Sequence, residues 1–144
     1  MPTSLRTRTL AATQNEVWEL VTDPHHQPRW WPGVERVEGV GEDRFTQVFK
    51  TKRGKAVRAD FRVIDTQPPW LCAWEQEIAG TPFARVLDEL VIEIRLEPAG
   101  GGTLVTIAQR QKLRGYSRTG GMMMRRAANT RLKEALEGLA RIAG

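Results

Sequence analysis

Residues 120–144, with the sequence GGMMMRRAANTRLKEALEGLARIAG, carry the longest apolar stripe at helical spacing in the chain. On a 3.6-residue period the small and apolar residues of this segment fall on one side. They are Gly121, Met124, Ala128, Leu132, Ala135, Leu136, Leu139 and Ile142. A helix over these residues would be about 33 Å long. A long amphipathic helix needs a sheet to lie on, and the sheet needs a cover for its apolar face.

The rest of the chain supplies such a sheet. Apolar alternation between turn residues predicts strands over residues 4–11, 34–40, 44–52, 55–66, 70–79, 83–97 and 103–113. Between the first two strands, Thr13 begins one short helix and Asp23-Pro24 a second. Because the later connections are short, neighbouring strands should be antiparallel. We therefore predict an α+β fold over residues 1–144 as a single domain, with a seven-stranded antiparallel sheet curled around a long C-terminal helix.

Composition argues against several classes of partner. The net charge is +5, but the basic residues are scattered among Glu and Asp, which does not favour nucleic-acid binding. No apolar stretch is long enough for integral membrane insertion. Arg6 and Arg8 interrupt the segment where a signal peptide would be apolar. Cys72 is the single cysteine, so no internal disulfide can form, and we expect a cytoplasmic protein.

The segment EVWELVTDP at residues 16–24, followed by WWPGV at residues 30–34, is similar to the opening of START-like (SRPBCC) proteins. This superfamily includes polyketide cyclase/dehydrase-like and lipid-transport proteins with the helix-grip fold. The resemblance covers the whole chain, including the final helix. It implies a cavity between sheet and helix for an apolar ligand, but it carries over no catalytic signature.

Polar residues interrupt the apolar faces of the predicted strands. Gln109 and Gln111 alternate with Val105, Ile107 and Leu113, and the same pattern places Gln47 and Gln76 inward. A dry core would not tolerate so many unpaired amides, at about 1–3 kcal/mol each. Either the strand ends line a partly polar cavity, or bulges turn these residues outward.

Asp88 is the candidate catalytic residue. It alternates with Leu90, Ile92 and Ile94, which would place it inside, but one bulge would put Leu87 inward instead. The predicted ligand-binding set contains Phe61, Trp74, Gln76, Asp88, Gln109, Gln111, Met124, Arg125 and Ala128.

The first half of the helix supplies three of these residues. Met124 and Ala128 should face the cavity, where small side chains leave room. Arg125 lies at the edge of the apolar stripe. Its side chain either extends to water or places a cation at the cavity mouth, suited to a carboxylate or phenolate.

No metal or cofactor is expected. The adjacent His25 and His26 point in different directions on a helix, and no carboxylate completes a ligand spacing. Cys72 shares a strand face with apolar neighbours and is expected to be a buried small residue. No phosphate loop or dinucleotide fingerprint is present.

Three functions follow from these observations. The first is a carrier or sensor for a small apolar or aromatic molecule. The second is an enzyme similar to polyketide cyclases and aromatases, with Asp88 as general base and Arg125 or glutamine amides holding an enolate. The third is an interaction module that uses the outer surface of the sheet or helix. A water-accessible cavity favours the first two.

Overall fold

The computed structural model describes residues 3–115 and 118–144. In chain order the elements are β1 (Thr3–Leu10), α1 (Gln14–Thr22), a 3₁₀ turn (Pro24–His26), α2 (Gln27–Trp30), β2 (Val34–Glu38), β3 (Arg44–Lys50), β4 (Ala56–Gln67), β5 (Leu71–Gln76), a second 3₁₀ turn (Pro82–Arg85), β6 (Leu87–Ala99), β7 (Gly102–Leu113) and α3 (Arg118–Ala143). None of the helices in these residues has the length and apolarity needed to cross a membrane.

The strands form one antiparallel sheet in the order β1-β7-β6-β5-β4-β3-β2. Strands β2 to β7 pair in sequence order as a meander, and the first strand, β1, pairs with the last strand, β7. The predicted α+β fold, with a seven-stranded sheet, short helices between its first two strands and a long C-terminal helix, is confirmed.

Local capping explains the helices between β1 and β2. The Thr13 side chain accepts a hydrogen bond from the backbone N–H of Glu16 at 3.3 Å, as its spacing predicts. Asp23 accepts one from the N–H of His25 at 3.0 Å, and this bond lowers the pKa of the Asp23 carboxyl. The second predicted helix consists of the 3₁₀ turn and the single turn of α2, since Pro24 and Pro28 restrict regular hydrogen bonding.

Helix α3 packs mainly against the edge of the sheet that β1 and β7 form. Its backbone approaches β1, β7 and α2. The buried positions of its second half are Leu132, Ala135, Leu136 and Leu139. At its end, the N–H of Ala12 donates to the carbonyl oxygen of Ala143 at 2.9 Å. The close contact with β1 and β7 leaves a gap between α3 and the curved face formed by β3 to β6.

The start of β6 differs from the prediction. The sequence predicts a strand from residue 83, whereas residues 82–85 form a 3₁₀ turn and β6 begins at Leu87. Pro82 occupies the first position of that turn, which suits its fixed φ angle. The N–H of Val86 donates to the Phe83 carbonyl at 3.1 Å and completes the turn.

Candidate functional site

A cavity of about 230 Å³ lies in the gap between α3 and the sheet. Its walls come from β3 to β6, the residue after α2, the second 3₁₀ turn and α3. The lining residues are Trp31, Gln47, Phe49, Val57, Ala59, Phe61, Gln76, Phe83, Leu90, Ile92 and Arg131. Eight of these eleven side chains are apolar, which is the usual character of a small-molecule site.

Aromatic rings hold one wall in place. Trp31 and Phe61 line the cavity, and both contact Trp74, with ring centroids 5.9 and 6.5 Å apart. Phe45 lies behind them, stacked on Phe61 at 5.4 Å and edge-on to Trp74 at 5.2 Å. Because the ring pairs are mutually packed, the wall offers a rigid surface to a flat apolar molecule.

Two glutamines add polar groups to this wall. The Gln47 side-chain N–H donates to Oε1 of Gln27 at 2.7 Å, so this amide is committed to joining β3 to α2. Gln76 is 6% exposed, and its Nε2 has no hydrogen-bond partner in the described residues. A buried amide without an acceptor is costly. Gln76 therefore holds an unused donor within the cavity wall.

Among the described residues, Arg131 is the charged member of the cavity lining. It stands between the cavity and an outer groove of about 560 Å³ beside Pro32, Gly33 and α3. Its side chain keeps a large accessible surface because it faces these two hollows. The surrounding protein still removes hydration, which lowers the pKa of the guanidinium. Arginine remains a cation throughout the physiological range.

The residues that the sequence placed at the ligand are only partly brought together. Phe61 and Gln76 line the cavity, and Trp74 supports its aromatic wall from behind.

Gln109 and Gln111 are buried, in agreement with their alternation along β7. They bond to each other, with Gln109 Nε2 donating to Gln111 Oε1 at 2.6 Å, and neither is among the residues that line the cavity. They lie beside the cavity, because Gln109 and Gln111 of β7 pair with Ile92 and Leu90 of β6. Both of these β6 residues line the cavity.

The three residues expected from α3 do not line the cavity either. Ala128 is buried, Met124 is partly buried against the core, and Arg125 is exposed. The side chain of Arg125 therefore follows the alternative in which it extends to water. The cation that lines the cavity is Arg131, six residues and almost two turns later.

The inward placement of Asp88 is wrong. A register shift in β6 between Leu87 and Glu89 turns Leu87 inward and Asp88 outward, the outcome that a bulge produces. The exposed Asp88 carboxylate accepts a hydrogen bond from Arg114 Nε at 3.0 Å. As placed here, it cannot act as a general base for a ligand in the cavity.

The two histidines and the cysteine are not among the residues that line the cavity. His25 and His26 lie near the Asp23 carboxylate at the surface. Burial raises the pKa of the Cys72 thiol to about 12, so the thiol is protonated. Within residues 3–115 and 118–144, no group of His, Cys, Asp and Glu side chains has a metal-binding arrangement.

Sequence reasoning missed Arg131 because it lies on the flank of the apolar stripe. Its helical neighbours three residues before and four residues after are Ala128 and Ala135. The sequence signal for Arg131 was a long cationic side chain flanked by two alanines, whose small side chains leave space next to the arginine.

Solved structures with the same fold come from varied sources. A START superfamily protein from Mycobacterium smegmatis is 13% identical, with a TM-score of 0.80, and the match covers 98% of this chain and 96% of that one. A conserved protein from Geobacillus kaustophilus is 20% identical, with a TM-score of 0.76, 97% of this chain covered and 93% of that one.

A third similar structure is a larger, di-domain protein. The di-domain ARO/CYC BexL from the BE-7585A biosynthetic pathway is 21% identical, with a TM-score of 0.80. The match covers 98% of this chain but 46% of that one, so this chain corresponds to about half of the di-domain protein. At such identities the likeness concerns the fold.

No curated protein gives a significant match. The match to a family model decides the relationship, and it confirms the resemblance drawn from residues 16–34 and the final helix. The model described as polyketide cyclase / dehydrase and lipid transport matches residues 1–144, and the chain belongs to this family.

Proposed function

We propose that the protein binds a small, largely apolar molecule in the cavity between α3 and strands β3 to β6, as a carrier or sensor. The observation that carries this proposal is the cavity itself, with eight apolar side chains, two amides and one cation. An apolar cavity of roughly 150 Å³ holds one benzene molecule. The space of about 230 Å³ therefore suits a substituted single or double ring.

The chemistry of the lining favours binding over catalysis. None of the lining side chains in the described residues is a carboxylate, an imidazole or a thiol. General acid–base catalysis needs such a group within hydrogen-bond reach of the reacting atom.

A second candidate is an enzyme similar to the polyketide cyclases and aromatases, acting on an aromatic or polyketide-type substrate in the same cavity. The likeness to the di-domain ARO/CYC BexL favours it. Arg131 could also stabilise an enolate oxygen. The two candidates are separated by recovering the bound molecule after incubation and comparing its mass and its NMR spectrum with those of the starting molecule, because cyclisation alone leaves the mass unchanged. A carrier returns it unchanged, and an enzyme does not.

The test of binding uses native mass spectrometry of the purified protein, followed by titration with naphthamide as a neutral flat probe. Ala59→Leu adds three carbons inside the cavity and should weaken binding about tenfold or more. Ala56→Leu is the matched control, since Ala56 is exposed on the same strand. Thermal melts verify that both variants fold. Equal binding to wild type and Ala59→Leu would show that the probe sits elsewhere.

A further inference from the structure

We infer that the natural ligand carries an anionic oxygen group, such as a carboxylate, which binds the Arg131 guanidinium while the apolar body of the ligand enters the cavity. This inference rests on the proposed function and specifies its ligand class. It comes from the hydrogen-bond donors of the site that have no acceptor among the described residues.

The first observation is that Arg131 has no ion-pair or hydrogen-bond partner among the described residues. The nearest acidic residue along the helix is Glu134, which shares the outer groove with Arg131 but forms no ion pair with it. A cation that borders an apolar cavity and has no acidic partner can pair with an anionic group of a ligand. Partial loss of hydration lowers the pKa of the Arg131 guanidinium.

The second observation is an excess of hydrogen-bond donors. Arg131 offers five N–H groups, and the buried Gln76 Nε2 offers an N–H with no acceptor in the described residues. The other amide of the lining, Gln47, already donates to Gln27. A ligand that satisfies Arg131 must supply acceptors, and one that also neutralises the charge must be an anion. Carboxylates match the planar fork of arginine.

The position of Arg131 sets the orientation of the ligand. This residue borders both the cavity and the outer groove, whereas Phe49, Val57, Phe61 and Leu90 border the cavity alone. The anionic group therefore lies at the α3 side, where water from the groove can reach it. The apolar body lies among the aromatic and aliphatic side chains of the sheet.

The experiment compares naphthoate with naphthamide, two probes of nearly equal shape that differ in charge. Wild type should bind naphthoate about tenfold more tightly, as a charge-assisted hydrogen bond contributes more than a neutral one. Arg131→Met should abolish this preference, measured as the ratio of the naphthoate and naphthamide affinities. Arg131→Lys, which keeps the charge, should retain part of the preference and serves as the second variant if Arg131→Met unfolds.

Arg125→Met is the matched control. Arg125 lies on the same helix, is exposed and does not line the cavity. Either substitution lowers the net charge from +5 to +4, so any general attraction of the protein for anions falls equally. Arg125→Met should keep the wild-type preference for naphthoate.

The outcomes separate this inference from the proposed function. Equal affinity of wild type for both probes, with weaker binding by Ala59→Leu, overturns the anionic ligand but supports the cavity as the binding site. Equal loss of preference in the Arg131→Met and Arg125→Met variants also overturns it. Naphthoate binding that Ala59→Leu does not weaken places the anion outside the cavity and contradicts the inference. Failure of both probes to bind contradicts both proposals.

Discussion

Gly138 of α3 lies directly against the backbone of Trp30 in α2. A Cβ atom at position 138 would lie 2.8 Å from Trp30 Cα and 3.0 Å from its carbonyl carbon. This contact sets the distance between α3 and α2. Arg131 lies seven residues earlier, on nearly the same side of the helix and about 10 Å along its axis. The Gly138–Trp30 contact therefore helps to hold Arg131 at the cavity.

We predict that Gly138→Ala destabilises the fold. Within a helix, alanine is normally favoured over glycine by about 1 kcal/mol. At position 138 the added methyl group would overlap backbone atoms, so the helices must separate, at a cost of about 1–3 kcal/mol. Chemical denaturation measures the change in the free energy of unfolding.

Gly121→Ala is the control for this prediction. Gly121 is also in α3, and a Cβ there would meet no atom within 4 Å. This variant should gain up to about 1 kcal/mol from helix propensity alone. If both alanine variants were stabilised, the close approach at Trp30 would be wrong.

We predict that Asp88→Asn changes neither stability nor probe binding appreciably. Asp88 and Arg114 form an exposed ion pair at 3.0 Å, and such pairs contribute about 0–1 kcal/mol. The carboxylate faces away from the cavity, so naphthoate and naphthamide affinities should match those of wild type. A large loss of binding would restore Asp88 as a residue of the site.

The contrast between Asp88 and the glutamines shows which features were predictable from sequence. Gln109 and Gln111 are buried as expected, because β7 keeps an unbroken alternation from Thr103 to Gln111. Asp88 lies one residue after the start of β6, where the register shifts. Strand alternation is a local property, whereas a bulge depends on how the neighbouring strand pairs.

Arg131 illustrates a second limit of prediction from the sequence. The helical period identifies the buried residues of α3, among them Leu132 and Leu139. It does not show which flank of the helix faces the open gap, because that depends on packing against α2 through Gly138. The cation of the site is therefore set by tertiary contacts between segments about 100 residues apart, whereas the apolar stripe alone offered Arg125 as the candidate cation.

We predict that Cys72 is nearly unreactive in the folded protein. Its thiol is 2% exposed, and burial followed by the nearby Glu93 charge raises the pKa from 9.0 to about 12. At a pH below 9, a rise of three units lowers the thiolate fraction about a thousandfold. Labelling with a thiol reagent at pH 8 should be slow in buffer and fast in denaturant. Because Cys72 is the single cysteine, the signal reports one site.

The raised pKa of Cys72 also makes the free energy of unfolding depend on pH. Folding keeps the Cys72 thiol protonated, so its contribution to stability is fully present below about pH 9 and is lost as the pH rises through about 12. Cys72→Ala removes this term. The free energy of unfolding should therefore fall less steeply above pH 9 in Cys72→Ala than in wild type. Identical slopes would contradict the burial of the thiol.

The last prediction concerns two buried glutamines with different hydrogen bonding. Gln76 Nε2 has no partner in the described residues, whereas Gln111 Oε1 accepts a bond from Gln109 Nε2 at 2.6 Å. Replacing an unsatisfied buried amide by an apolar group of similar size removes a desolvation penalty, so Gln76→Leu should stabilise the fold by about 1 kcal/mol. Gln111→Leu instead leaves the Gln109 donor without its acceptor and should destabilise the fold by about 1–3 kcal/mol. Urea denaturation of both variants measures the two changes. If the unused donor of Gln76 serves a ligand oxygen, Gln76→Leu should also weaken naphthoate binding several-fold while it raises stability. A variant of Gln76 that lost stability and kept full binding would show that this amide belongs to the core and not to the site.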